Sequence, residues 1–317
     1  MERRLTSAVQ ALLAQAGGNE AQQQESQEMR RTYLGEDRYV AYPRAEGYIR
    51  RMKALLDAPR VMRPNNLIIV GETNNGKTSV VTSFINRHAA PVDDPEEPAA
   101  RIPALYVLLR SDTDEDRLYH WILDALMAPY KEKDRNDKKY RMIAELFERL
   151  SIRMLVLDEF HHISAATGAR QRRCLNTVKT LSSGLQIPIV AMAIPQVFTL
   201  LESDPQIDNR FEALALPRWN DLREFRQFLA GLEMDLPLLN ASNLSDATLA
   251  RRIFDLSEGL IGEAIKLIKR VGTEAVGAEE RITLEAINAL NPVGVAGRND
   301  EARRLLYAHV PGGKDAP

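Results

Sequence analysis

The segment at residues 71–78 limits what this chain can fold into more than any other feature. It reads Gly-Glu-Thr-Asn-Asn-Gly-Lys-Thr and matches the pattern G-x-x-x-x-G-K-[ST] at every fixed position. An apolar run at residues 66–70 precedes it and predicts a buried strand, and helical spacing over Lys77–His88 follows it. In this order, a glycine turn lets backbone N–H groups converge on phosphate oxygens at a helix N-terminus. The pattern therefore predicts a loop that binds ATP.

The spacing within this loop predicts individual roles. Lys77 is expected to reach the β- and γ-phosphates, and the hydroxyl of Thr78 is expected to hold Mg²⁺. The predicted nucleotide-binding residues are Gly71, Glu72, Thr73, Asn74, Asn75, Gly76, Lys77, Thr78 and Ser79.

Two carboxylates end another apolar run. Residues 153–157 predict a strand, and Asp158 and Glu159 follow it directly. Neighbouring residues of a strand point to opposite sides, so the two acids can have different roles. We expect Asp158 to bind the Mg²⁺ shell and Glu159 to orient and polarise the attacking water. His161 and His162 come next, and we expect them to begin a helix or to pack rather than to bind a metal, because no cysteine or further histidine lies nearby.

Strand-like and helical segments alternate up to Pro217. The strand patterns lie at residues 66–70, 102–109, 153–157, 187–193 and 212–216. This alternation predicts an α/β fold, a parallel sheet with helices on both faces. After Pro217 the segments have helical spacing without a convincing strand, which predicts a small all-helical lid domain.

The expected organisation has four parts. Residues 17–31 are polar and Gln-rich, which favours a flexible linker. The predicted parts are a flexible N-terminal arm at 1–40, a P-loop ATPase domain at 41–217, a helical lid at 218–292 and a loose C-terminal tail at 293–317.

One arginine is placed where it could act on a neighbouring subunit. Arg210 lies between the fourth and fifth predicted strands, where an arginine often projects from the subunit edge. It could enter the ATP site of a second copy and stabilise charge on the γ-phosphate, completing a catalytic set with Lys77 and Glu159. ATP would then bind at a subunit interface and drive self-assembly. A surface salt bridge is the alternative role for Arg210.

A cluster of basic residues follows the acidic pair. Its members are Arg170, Arg172, Arg173 and Lys179. They could contact the phosphate backbone of double-stranded DNA, or they could form a solvated helix face.

Charge and composition narrow the class of protein. The 317 residues include 42 Lys and Arg against 44 Asp and Glu, a net charge of −2, so nucleic acid could bind only at a local basic surface. The single cysteine, Cys174, allows no intramolecular disulfide and favours a reducing compartment. No apolar run approaches the length that spans a membrane. We expect a cytoplasmic protein with no membrane partner.

With these residues in view, the chain resembles the TniB/TnsC-type transposition ATPases of the AAA+ class. The resemblance covers most of the chain, about residues 42–290. It rests on the lead-in at 63–71, the Asn-Asn within the phosphate loop, the His-His after the acids, and the segments at 204–211 and 216–219. It implies a sheet with the phosphate-loop strand central, a helical lid, and ATP-dependent assembly on target DNA as a ring or filament. It also implies contact with a DDE transposase that is brought to the target.

Two positions depart from the pattern of related ATPases. The fourth predicted strand ends Ala193-Ile194-Pro195, where a polar sensor residue is usual. The lid reads Gly-Leu-Ile-Gly-Glu at residues 259–263, where many AAA+ proteins have an arginine that contacts the γ-phosphate. We therefore expect slow, DNA-stimulated hydrolysis of ATP to ADP and phosphate. An AAA+ loader or replication-initiator-like ATPase, and a nucleotide-gated scaffold with negligible hydrolysis, are the alternatives.

Overall fold

A computed structural model describes residues 5–17, 19–92, 100–111, 113–165 and 168–290, together with 294, 295, 297, 299, 300 and 304. The chain divides into two compact units. One unit spans Pro43–Pro217, and the other joins the segment up to Tyr42 with the segment from Arg218 onward. Most of the expected tail at 293–317 lies outside the described residues.

The first unit is built on a five-stranded parallel sheet. Its strands are β1 (Asn66–Gly71), β2 (Ala104–Leu108), β3 (Met154–Asp158), β4 (Ile189–Ala193) and β5 (Phe211–Leu216). The strand order is β2-β3-β4-β1-β5, so the strand that leads into the phosphate loop lies inside the sheet between β4 and β5. This arrangement confirms the predicted α/β fold.

Helices precede and connect the strands of this unit. They are α3 (Pro43–Asp57), α4 (Lys77–His88), α5 (Glu115–Ala125), α6 (Asn136–Arg149), α7 (Ala169–Leu185), α8 (Val197–Glu202) and α9 (Pro205–Asp208). A 3₁₀ helix, Phe160–Ala165, follows β3. Every residue of β1, β3 and β4 is buried, as expected for strands that are covered on both faces. The outer strands β2 and β5 include exposed positions.

The second unit is helical in its described part. Its helices are α1 (Ser7–Ala14), α2 (Glu20–Gly35), α10 (Leu222–Glu233), α11 (Ala247–Ser257), α12 (Ile261–Ala275) and α13 (Leu284–Ala289). The last four correspond to the helical segments predicted after Pro217. None of the helices in the described ranges combines the length and the apolar composition that crossing a bilayer requires.

The prediction of a flexible linker at residues 17–31 is wrong, because helix α2 occupies most of that range. Asn19 and Gln22 form a reciprocal capping box at the start of the helix. The helix buries one stripe, Ser26, Arg30 and Leu34. This stripe is difficult to recognise in the sequence because it is only partly apolar. Its central residue is Arg30, which forms an ion pair with Glu280 at 2.6 Å.

Candidate nucleotide site

The carboxyl ends of β1 and β3 bring the predicted phosphate loop and the predicted acids together. In a parallel sheet these ends share one edge, and α/β proteins bind ligands outside that edge. The loop leaves β1 at Gly71 and enters α4 at Lys77, while β3 ends at Asp158. The two motifs therefore meet, although one further strand separates β1 from β3 in the sheet.

The loop needs glycine at both ends for different reasons. Gly76 has φ +82° at the N-cap of α4, a left-handed conformation that glycine adopts without strain. A Cβ on Gly71 would lie 2.6 Å from the carbonyl oxygen of Leu216, so only glycine fits beside the end of β5. The side-chain amide of Asn75 donates to the same carbonyl at 2.7 Å. The loop is thus fixed to the end of β5 as well as to β1.

Lys77 is folded onto the backbone of its own loop. Its ammonium group donates to the carbonyls of Gly71 and Glu72, both at 2.8 Å, and only 8% of the residue is exposed. Burial lowers the pKa of Lys77, while the nearby carboxylates of Glu159 and Asp158 oppose that shift. An ammonium group has three donors, so one more N–H remains for a phosphate oxygen.

Asp158 and Thr78 are in direct contact. The Thr78 hydroxyl donates to Oδ2 of Asp158 at 3.0 Å, although the two residues belong to different motifs. A hydroxyl beside a carboxylate offers the hard oxygen ligands that Mg²⁺ prefers, so these residues fit that ion. The same Asp158 oxygen accepts a hydrogen bond of 2.6 Å from the Tyr106 hydroxyl, and Oδ1 accepts one of 2.7 Å from the Glu159 amide.

Tyr106 is a site residue that the sequence analysis did not identify. Burial, the hydrogen bond to Asp158 and the nearby negative charge raise the pKa of Tyr106 well above its ordinary value, so the phenol stays protonated and donates. Tyr106 pairs with Val156 in the register of β2 and β3, two residues before Asp158. No local motif marks this tyrosine, because only the pairing of two distant segments brings it to the site.

Glu159 leaves the strand in a left-handed turn. Its φ is +55°, an uncommon value for a residue other than glycine. Its side chain is 40% exposed, and Oε2 lies 3.3 Å from Nδ1 of His161. Burial lowers the pKa of His161, against the opposing charge of Glu159. The carboxylate therefore lies at the surface of the site, whereas Asp158 is buried.

Arg210 lies at the opposite edge of the sheet. Its carbonyl accepts a hydrogen bond from the amide of Asn66, the first residue of β1, and its guanidinium donates to Ser183 Oγ at 2.9 Å. The phosphate loop begins where β1 ends, so the length of this six-residue strand separates Arg210 from the phosphate loop. At about 3.3 Å per residue that distance is roughly 20 Å. Arg210 does not join the other site residues of its own chain.

The predicted DNA-binding residues differ in their surroundings. Arg170, Arg172 and Arg173 are exposed near the start of α7. Lys179 is largely buried instead, and its ammonium group forms an ion pair with Asp204 at 3.0 Å.

The fold is that of the P-loop AAA+ ATPases. The chain is similar to the ORC2 protein of Aeropyrum pernix solved in ADPNP-ADP complexes, with a TM-score of 0.57, 15% identity, and coverage of 80% of this chain and 69% of that chain. It is similar to the ORC1 protein of the same organism in complex with DNA, with a TM-score of 0.59, 18% identity, and coverage of 89% and 72%. A chain of the Drosophila ORC bound to DNA gives a TM-score of 0.56, 15% identity, and coverage of 89% and 67%.

Sequence comparison identifies the family. A search of curated proteins found none that matches. The family described as "Bacterial TniB protein" matches residues 30–221, which include the phosphate loop, the acidic pair and Arg210. The chain therefore belongs to the bacterial TniB family.

Proposed function

We propose that this chain is an ATP-dependent DNA-binding regulator of DNA transposition. In this proposal it assembles on target DNA, brings or activates a DDE transposase there, and hydrolyses ATP slowly with stimulation by DNA. The nucleotide-dependent part of this proposal rests on the contact between the Thr78 hydroxyl and the Asp158 carboxylate. This contact joins the phosphate loop to the acidic pair, the two predicted halves of an ATP·Mg²⁺ site. Membership of the TniB family supports the transposition part.

The residues of the site have separate tasks in this proposal. The loop amides and Lys77 hold the phosphates, and Thr78 and Asp158 hold the metal. Bound Mg²⁺ neutralises charge that develops on the phosphates. Glu159, at the more exposed position, orients the attacking water and polarises it. The buried Asp158 and the partly exposed Glu159 match this division, because a metal ligand must be fixed while a water-activating group must reach a water molecule.

Arg210 acts between subunits in this proposal. It lies about a strand length from the phosphate loop of its own chain, so it can complete only the site of a second copy. ATP would then stabilise a ring or filament of identical subunits, because each nucleotide binds two of them.

DNA binding is assigned to the exposed arginines near the start of α7. Arg170, Arg172 and Arg173 can contact phosphates without reading sequence. Lys179 contributes less to DNA binding than these three arginines, because its charge is already neutralised by the ion pair with Asp204. The similarity of the fold to ORC proteins solved with DNA agrees with this class of partner.

The test is complex formation with duplex DNA at low salt, with and without ATP and Mg²⁺. We expect a protein–DNA complex that requires ATP and weakens steeply as salt rises. A purified, folded protein that forms no complex with ATP at low salt would contradict the proposal. A transposase gene beside the gene of this chain would favour transposition over an AAA+ loader or replication-initiator-like role.

A nucleotide-gated scaffold is the second candidate function. Ala193, buried at the end of β4, offers no polar side chain to the nucleotide. Glu263, in the first turn of α12, is buried and paired with Lys266, where an arginine is usual. A phosphate-release assay with DNA present separates the two functions, because robust turnover excludes the scaffold.

A further inference from the structure

A carboxylate and two imidazoles converge beside the nucleotide site. Glu159, His161 and His162 each offer a ligand atom, and these atoms all lie within 4.8 Å of one another. Nδ1 of His161 is 3.3 Å from Oε2 of Glu159, and the centroids of the two imidazole rings are 4.6 Å apart. The role proposed for Glu159 in hydrolysis does not require either histidine.

The local backbone explains why the three side chains meet. Glu159 turns the chain at φ +55°, and the 3₁₀ helix Phe160–Ala165 begins at the next residue. Phe160 and Ile163 are fully buried and anchor this helix in the core. The amide of His162 donates to the carbonyl of Glu159 at 2.9 Å. The two histidines, half-buried, therefore stand beside Glu159 on a backbone that the core holds in place.

One nitrogen of the cluster has no hydrogen bond. Nδ1 of His161 is buried, and its contact with Glu159 has the distance of an ion pair but not the alignment of a hydrogen bond. A buried polar atom without a partner is costly and uncommon in native proteins. A metal ion between the three side chains would satisfy this nitrogen, because a metal needs only its lone pair.

We propose that Glu159, His161 and His162 bind one divalent transition-metal ion, with Zn²⁺ as the expected ion. Two imidazoles and one carboxylate form a donor set that suits Zn²⁺, whereas Mg²⁺ prefers oxygen ligands alone. The ion at this site is therefore distinct from the Mg²⁺ assigned to Thr78 and Asp158. The histidines, expected from the sequence to pack, gain this role because Glu159 supplies a third ligand.

The consequence for hydrolysis rests on the proposed function of Glu159. A carboxylate that ligates Zn²⁺ is not available to polarise water. Zn²⁺ should thus inhibit hydrolysis while ATP binding to the loop, through Lys77 and Thr78, continues. In an assembly that ATP stabilises, the ion would prolong the assembled state.

The first experiment measures metal binding without nucleotide. Co²⁺ serves as a spectroscopic probe, and Zn²⁺ binding is measured by equilibrium dialysis in excess Mg²⁺. We expect one ion per chain with ligand-field absorption, and at least about tenfold weaker binding in His162→Ala and His162→Gln, because even an outer-shell change costs 10–100-fold. His88→Ala, an exposed histidine at the end of α4, is the matched control and should bind like the wild type. Absence of stoichiometric binding in the wild type, or equal binding in the His162 variants, overturns the site.

The second experiment measures phosphate release at saturating Mg²⁺ and ATP while Zn²⁺ is added. Zn²⁺ should inhibit the wild type and His88→Ala at concentrations that fill the site, whereas the same concentrations should change the rate of His162→Ala much less, relative to the rate of that variant without Zn²⁺. Inhibition that is equal in all three proteins would mean that Zn²⁺ acts elsewhere. The two proposals fail separately: Co²⁺ binding without any hydrolysis contradicts the ATPase role, and hydrolysis without Co²⁺ binding contradicts the metal site.

Discussion

Asp158 is held by neighbours from different parts of the chain. Its carboxylate accepts hydrogen bonds from the hydroxyls of Thr78 and Tyr106 and from the amide of Glu159. Hydrogen bonds to an ionised carboxylate are stronger than those between neutral groups. They fix the direction in which the carboxylate would meet the proposed metal ion, so the geometry of the site depends on Tyr106 as well as on the proposed ligands Thr78 and Asp158.

Tyr106→Phe should raise the Mg²⁺ concentration needed for half-maximal ATP hydrolysis by about tenfold. A hydrogen bond to a charged group contributes roughly 1.5–3 kcal/mol, and its loss frees the Asp158 carboxylate to rotate. The measurement is the phosphate-release rate over a Mg²⁺ titration at fixed ATP. Tyr130→Phe is the matched control, because Tyr130 donates a similar bond of 2.8 Å to Asp124 away from the site. Identical Mg²⁺ dependence in the two variants would remove Tyr106 from the site.

Arg210→Ala should impair both hydrolysis and ATP-dependent assembly while the monomer stays folded. The guanidinium is expected to act on the nucleotide of a second copy, so its loss affects only the assembled state. The measurements are light scattering with ATP and phosphate release at several protein concentrations. Ser183→Ala removes the partner of Arg210 within the chain but keeps the guanidinium, and it should behave like the wild type. Normal oligomers and normal rates in Arg210→Ala would leave the arginine with a structural role alone.

At the scale of elements, short-range sequence patterns predict those helices and strands that are recognisable without knowledge of their distant packing partners. The glycine turn and the helix after it fix α4 at Lys77–His88, the bounds predicted from the pattern. Largely apolar runs likewise predict β1, β3 and β4. The sequence does not reveal helix α2, because its buried stripe of Ser26, Arg30 and Leu34 is only partly apolar and Glu280, the partner of Arg30, lies far along the chain.

The pair between Arg30 and Glu280 is a buried two-pronged contact. The guanidinium donates to the two carboxylate oxygens at 2.6 and 3.0 Å, and the Arg30 side chain is 2% exposed. Burial alone raises the pKa of Glu280, but hydrogen bonds from Arg30 and from the amides of Gly277 and Leu239 outweigh it and hold the pKa below its ordinary value. A folded-state pKa below the unfolded one means stabilisation that is complete above the unfolded pKa and lost as pH falls through the folded one.

Glu280→Gln should reduce the free energy of opening of α2 by about 3 kcal/mol, because it leaves a buried guanidinium unpaired. Hydrogen exchange of the α2 amides measures this free energy. The wild type should also lose protection as the pH falls below about 4.5, the ordinary value of this carboxyl, whereas the variant should lose less. Asp255→Asn breaks the exposed pair with Arg251 and should change stability by less than about 0.5 kcal/mol. Equal protection in both variants would show that the buried pair does not hold α2.

At the scale of the whole molecule, the division of the chain is only partly visible in its sequence. The change from strands to helices at Pro217 is local and was predicted, and one compact unit ends at that residue. The association of the segment before Tyr42 with the segment after Arg218 was not predicted, since it depends on contacts between the two ends of the chain. The four-part domain organisation stays a prediction, as do the site roles and the DNA contacts.

Replacing Arg170, Arg172 and Arg173 together by alanine should weaken ATP-dependent DNA binding similarly for all sequences. Each lost phosphate contact should reduce the salt slope of binding by about one. The measurement is the affinity for duplex DNA at several salt concentrations. ATP binding without DNA should be unchanged, because these side chains are distinct from the phosphate loop.

The control for this variant removes the same charge elsewhere. Alanine at Lys133, Arg141 and Arg149 changes exposed basic residues in and before α6. This protein should keep the affinity and the salt slope of the wild type. If both triple variants lose affinity equally, DNA binding depends on net charge and not on the start of α7.

Titration calorimetry of ATP with Mg²⁺ into the wild type and into Lys77→Ala tests the central claim most directly. Lys77 is the buried cation of the loop, so its replacement should abolish binding of the phosphates while the metal-binding side chains proposed, Thr78 and Asp158, are unchanged. The account predicts one ATP per chain for the wild type and no measurable binding for the folded variant. Equal affinity in the two proteins would contradict the nucleotide site and, with it, the ATP-dependent function proposed for this TniB-family chain.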